Sequence, residues 1–241
     1  MAVFSCPEFF LAGRTFGPKE LSLVNEGLTS TQASGTITFA GTPYGADPGS
    51  NRFVIVLVSG LATSGNTNLD ASVVWGGVTI SKIVDRQDVE AGTGGYVGIF
   101  AAVVPTGAAG DLDITIDDTI DAFTDWDRIV VTTMVTDQIG STTAFDTGSA
   151  DANDSVNIRV DNQANGFVVM VATHYVSTVL GDRVDFKSGG TFIASPSVDV
   201  AGGTDLRHLI YFIDNAAANV DELTVIAAGT TRINVAGASW L

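Results

Sequence analysis

The chain has 241 residues, 45% apolar and 16% charged, which is enough apolar material for a sizeable core and excludes a disordered composition. Eleven basic residues against 27 acidic ones leave a net charge of −16, too few cations to neutralise nucleic-acid phosphates or to hold an anionic membrane surface. One cysteine, Cys6, excludes an internal disulfide, so folding needs no oxidising compartment, and the residue reads as a small apolar side chain.

The first stretch, MAVFSCPEFFLAGR, has no basic region leading into a long apolar run, so no standard signal peptide is expected. No stretch reaches the ~18 uninterrupted apolar residues of a transmembrane helix. Residues 1–34 hold Glu8, Glu20 and Glu26, three of only five glutamates against 22 aspartates, together with the apolar knot Phe9, Phe10 and Leu11. Within them, GPKELSLVNEGL predicts a short helix starting near Pro18 and stopping at Gly27. The segment reads either as an arm that docks on a partner through Phe9, Phe10 and Leu11, or as an N-terminal strand or helix packed on the same domain.

From residue 34 onward the pattern is that of strands. GTITFAG alternates, and residues 51–60, NRFVIVLVSG, form a continuous apolar run between turn residues, which suits a strand buried on both faces. In SVVWGGVTISKIV, Val73, Val74 and Trp75 pair across Gly76-Gly77 with Val78, Thr79 and Ile80, because two glycines supply the positive φ of a two-residue hairpin turn. Trp75 then reads as cross-strand packing. GGYVGIFAAVV and GDLDITID flank a Pro-Thr-Gly turn, with Leu112, Ile114 and Ile116 alternating against Asp. Segments 128–138, 154–160, 166–176, 181–186, 206–214, 221–229 and 232–240 continue the pattern. About a dozen short strands with Gly, Asp and Asn turns and no helical period point to an all-β, antiparallel β-sandwich or jelly-roll-like fold. The simplest partition is an N-terminal arm, 1–34, and one β-sandwich domain, 35–241.

The chemistry is sparse. Asp111, Asp113, Asp117, Asp118, Asp121, Asp125 and Asp127 crowd one stretch, but the spacing of a calcium-binding loop is missing and several alternate with apolar residues, as on a solvated strand face. His174 and His208 lie inside apolar strand runs without a nucleophile elbow or zinc-ligand spacing, so both read as satisfied sheet residues and no metal or cofactor is expected. No phosphate or dinucleotide fingerprint is present. An Asp pair acting as a glycan hydrolase remains open, though no motif selects the pair. Aromatic rings in loop-like contexts suit stacking on sugars, and Tyr44 in TPYGADPG and Trp126 in FTDWD are the candidates.

Taken in order, TFAGTPYG, NRFVIVLVSG, SVVWGGVTISKIV, GIFAAVVPTGAAGDLDITI, STTAFDTGS and the terminal GASW resemble a family of uncharacterised β-rich proteins encoded in the structural gene clusters of tailed bacteriophages and prophages of proteobacteria. The resemblance covers roughly residues 36–240 and not the N-terminal segment. It carries over no catalytic residue. It implies a non-enzymatic virion protein, assembled in the host cytoplasm and displayed on the particle exterior in the tail, the adsorption apparatus or as a capsid decoration. The implied partners are other virion proteins and further copies of the chain, with no nucleic acid and no membrane insertion. The alternative is a lectin-like module that recognises a host-surface glycan.

Overall fold

The Gly76-Gly77 turn folds as its residues require. Both glycines have positive φ, +56° and +79°, and Val73, Val74 and Trp75 face Ile80, Thr79 and Val78 across it. In the computed structural model the described residues are 21–30, 35–45, 52–62, 69–90, 93–104, 107–118, 126–136, 141–153, 155–176, 183–186, 191–193, 197–198, 205–216, 219–226 and 232–241. All regular structure among them is strand, and no helix long and apolar enough to cross a membrane occurs there.

The N-terminal half contains β1 (Ser22–Ser30), β2 (Gly35–Pro43), β3 (Phe53–Ala62), β4 (Leu69–Trp75), β5 (Val78–Glu90), β6 (Thr93–Val103), β7 (Ala109–Asp118) and β8 (Trp126–Thr136). They form one antiparallel sheet in the order β1-β8-β3-β6-β5-β4-β7-β2. The long β5 turns the corner: Val78 to Ile80 pair with β4, the rest pairs with β6, and the register slips between Lys82 and Val84. The sheet thereby rolls into a nearly closed barrel. Its interior is filled from all sides, by Ile37, Val56, Trp75, Phe100, Ile114 and Val131 among others.

The C-terminal half contains β9 (Asp146–Asn153), β10 (Ser155–Asn162), β11 (Gly166–Val176), β12 (Arg183–Phe186), β13 (Thr191–Ile193), β14 (Ser197–Val198), β15 (Asp205–Ala216), β16 (Asn219–Ile226) and β17 (Arg232–Trp240). A six-stranded sheet, β13-β15-β11-β17-β9, with β14 also on β15, lies against the outer wall of the barrel. There Phe53, Leu57, Ile99 and Met134 of the barrel meet Phe167, Val171, Ile210 and Trp240. The rings of Phe53, Phe167 and Trp240 pack with centroids 5.3–6.5 Å apart. The opposite face of that sheet packs Met170, Leu209, Tyr211 and Val235 on Val156, Ile158, Leu223 and Val225 of a three-stranded sheet, β10-β16-β12. Thus β3 and β11 are buried on both faces, which explains their unbroken apolar runs. On β10 one face is solvated, and the burial alternates residue by residue.

Several expectations are corrected. The part of the expected 18–27 helix that falls on described residues is strand: β1 pairs with β8 from Ser22↔Val135 to Ser30↔Ile129. A helix of about ten residues is marginal alone, whereas the free edge of β8 satisfies a whole backbone ladder. Two register shifts absorb the irregular residues, and Asn25 donates from its amide to Thr133 Oγ1 at 2.7 Å. The expected boundary after residue 34 therefore falls between two strands of the same barrel sheet. Among the described residues seventeen strands stand where about a dozen were expected. The polar DTGSADAN is a strand, β9, because β17 pairs with it along its length. Phe9, Phe10, Leu11 and Cys6 lie outside the described residues.

Alanine at the two hairpin glycines separates strain from fit. A Cβ on Gly77 meets nothing within 4 Å, so Gly77→Ala costs only the left-handed strain of about 1–2 kcal/mol. A Cβ on Gly76 would collide with the Tyr44 hydroxyl, so Gly76→Ala costs measurably more in urea unfolding.

Candidate functional site

Tyr44, one of the two aromatic candidates, is not a loop ring open to a ligand. It is 4% exposed and closes one end of the barrel, 4.9 Å from the ring of Trp75. Its backbone N–H donates to Ala108 O at 3.0 Å. Arg52, fully buried, lies over the same ring with its guanidinium carbon 5.0 Å from the centroid. The guanidinium donates to the carbonyls of Val104, Gly45 and Gly107 at 3.1, 3.4 and 2.6 Å. Trp75 Nε1 donates to Thr42 O at 3.3 Å. Burial pushes the Tyr44 hydroxyl above its usual range, and the neighbouring Arg52 charge only partly opposes this. A charged side chain thus fastens three loop carbonyls over an aromatic plug, and the ring has no face left for a sugar.

Trp126 is the first residue of β8, with its backbone opposite Ala62; its side chain lies outside the described residues. The other end of the same ladder pairs Phe53 with Thr136, next to Arg52 and Tyr44. Ten strand residues separate the two ends, about 30 Å. The structure therefore does not bring Tyr44 and Trp126 together.

The aspartates of β7 are engaged locally. Asp113 accepts from Thr38 Oγ1 at 2.6 Å, and Asp111 accepts from Gly41 N–H at 2.8 Å, while Leu112, Ile114 and Ile116 between them are buried as expected. For Asp117, Asp118 and Asp127 only the backbone is described; Asp121 and Asp125 lie outside the described residues. Among the described residues no three His, Cys, Asp or Glu side chains gather as metal ligands would.

His174 pairs through its backbone with Arg207 and Ile233, and its ring is not described. His208 is fully buried, and its Nδ1 lies 2.6 Å from Ser59 Oγ. A hydroxyl beside an imidazole is the beginning of a nucleophile–base pair. Here Ser59 is also 0% exposed, with buried Leu57 and Leu61 two residues away on the same face of β3, so no substrate reaches the pair. Elsewhere a cleft of about 580 Å³ opens between β5, β6 and residues 142–147, lined by Lys82, Ile83, Val103, Thr142, Thr143 and Thr147 among others. Burial pulls the Lys82 ammonium down, but its bonds to Asp70 and Asp85 more than offset this, so the cation stays charged and held.

Sequence reasoning missed Arg52 and the Ser59–His208 contact. Arg52 carries a faint signal, a lone cation at the lip of a strand buried on both faces. The partners Ser59 and His208 are 149 residues apart, and only the stacking of two sheets joins them. No protein-family model matches the chain, and no curated protein matches it.

Arg52→Met keeps much of the side chain's apolar bulk and removes the guanidinium from three carbonyls, of which that of Val104 is buried. The expected loss in chemical denaturation is about 3 kcal/mol. A loss under about 0.5 kcal/mol, the ordinary range of surface substitutions, would show that those carbonyls find other partners.

Proposed function

We propose that the chain is a non-enzymatic structural protein displayed on the exterior of a tailed phage particle, in the tail or adsorption apparatus or as a capsid decoration. The observation that carries the reading is the ordered set of segments, TFAGTPYG through GASW, shared in pattern with β-rich phage structural proteins. Their placement supports it: they form the end of β2, most of β3, the β4–β5 hairpin, the β6–β7 pair, the start of β9 and the end of β17. These are framework strands of both halves, so the resemblance follows what builds the body and not one loop.

On this reading the stacked sheets are a sandwich or jelly-roll-like display body, and an acidic surface keeps many crowded copies soluble. The charged and hydroxyl side chains described above fasten loops and sheets to one another, which suits a part whose product is a stable surface. Other virion proteins and further copies are its partners. The glycan-binding alternative loses Tyr44, buried under Arg52, and retains Trp126.

Immunogold electron microscopy of intact particles with an antibody to the chain tests the reading. Labelled particles are expected: gold over the head identifies a decoration, and gold on the tail a part of the adsorption apparatus. Purified particles that neither label nor contain the chain would overturn the proposal.

A further inference from the structure

One cross-strand row in the interface between the barrel and the six-stranded sheet is polar. On the six-stranded sheet it runs Asp151 of β9, Asn234 of β17, Thr173 of β11 and His208 of β15, each in register with the next. Side-chain alternation aims the row at the barrel, because Ala236, Val171 and Ile210, two residues along, belong to the shared apolar core. Facing it on the barrel are Arg86 of β5, Val97 of β6 and Ser59 of β3, again in register. Two bonds cross the gap: the Arg86–Asp151 ion pair at the rim and the 2.6 Å Ser59–His208 contact inside. Between these lie Thr173 and Asn234, both 0% exposed. Beyond the row Leu61, Val130 and Leu206 close the interface as a separate apolar cluster. His208 Nε2 and both polar atoms of the Asn234 amide have no partner among the described residues.

We propose that this row is an acid-labile latch between the N-terminal half, residues 21–136, and the C-terminal half, residues 141–241. The Ser59–His208 contact fits a neutral ring. A protonated ring carries an N–H on both nitrogens, and the one at Nε2 has no acceptor among the described residues. Among the described residues, the polar side chains beside His208 are Ser59 of β3, across the gap, and Thr173 of β11, its cross-strand neighbour, and neither ionises near neutral pH. The charges of the row, Arg86 and Asp151, sit at its outer end, where β9 is three strands from β15, about 14 Å. Among the described residues nothing near the ring offsets the loss of water, and burial brings the imidazole down to about 3.

The sign follows. Once the halves part, the ring regains its ordinary value of about 6.5. Between that value and about 3 the opened form binds a proton that the closed form does not, so the closed form weakens as pH falls and is unaffected above about 6.5.

Hydrogen exchange of the full chain from pH 7 to pH 5, corrected for intrinsic rate and compared with His208→Gln, tests the latch. Glutamine can still bond to Ser59 and cannot titrate. In the wild-type chain the opening constant read along β3, β11, β15 and β17 is expected to rise up to about tenfold per pH unit below 6.5. In His208→Gln that rise should be absent. Equal slopes in both proteins would overturn the proposal. If His208→Gln does not fold, NMR titration of the wild-type ring decides, its signal assigned with His174→Gln: a folded-state ring that stays neutral to pH 4 supports the latch, and one that titrates near 6.5 overturns it.

Discussion

The molecule depends on one constraint: the wall of the barrel made by β3, β6 and β8 is apolar on both faces. Val54, Val56 and Val58 fill the barrel, and Phe53, Ile55 and Leu57, between them on the same strand, point out of it. Each of these outward side chains is worth roughly 1.5–3 kcal/mol when buried, so the barrel requires a cover. The six-stranded sheet supplies it, and because β11 and β17 are themselves apolar on both faces, a third sheet must cover the cover. The layered architecture is the consequence of two strands, β3 and β11, with no polar face.

Polar side chains are subordinate to that layering. Arg52 ties loop carbonyls over the barrel's end, Asn25 stitches an irregular edge strand to β8, Asp111 and Asp113 hold β2 to β7, and Ser59 meets His208 between layers. Each sits where a backbone group or a neighbouring sheet needs a partner, which is how buried polar groups are normally retained. A hydroxyl and an imidazole in contact therefore serve packing here, since accessibility and not proximity separates a latch from a catalytic pair. The same reasoning moves Tyr44 from the surface to the core: a loop-like sequence context, TPYGADPG, reports turn residues and says nothing of where an aromatic ring between them comes to rest.

Legibility followed the range of the forces. The Gly76-Gly77 hairpin, the alternation of Leu112, Ile114 and Ile116, and the two-sided burial of residues 53–62 were readable because backbone strain and side-chain period act over a few neighbours. β1 and β9 were not readable. SLVNEGLTS and DTGSADAN carry weak strand propensity, and they are strands because β8 and β17 present edges whose N–H and C=O groups need pairing. The aspartate-rich composition suggested turns and solvated faces, and it gave no sign that Asp151 would cross to Arg86 of the other half.

By itself the sequence determined an all-β chain, its tight turns, one strand that must be buried twice, and a strongly acidic composition. These are set by local steric preference, period-two patterning and charge composition, none of which needs a partner far along the chain. Only the tertiary structure decided that the barrel nearly closes, that residues 22–30 join it, that Tyr44 is a plug under Arg52, and that a polar row crosses from Asp151 to His208. Those depend on which sheet faces meet and in what register, and that is settled by burying two apolar surfaces against each other, a contact between residues more than a hundred positions apart.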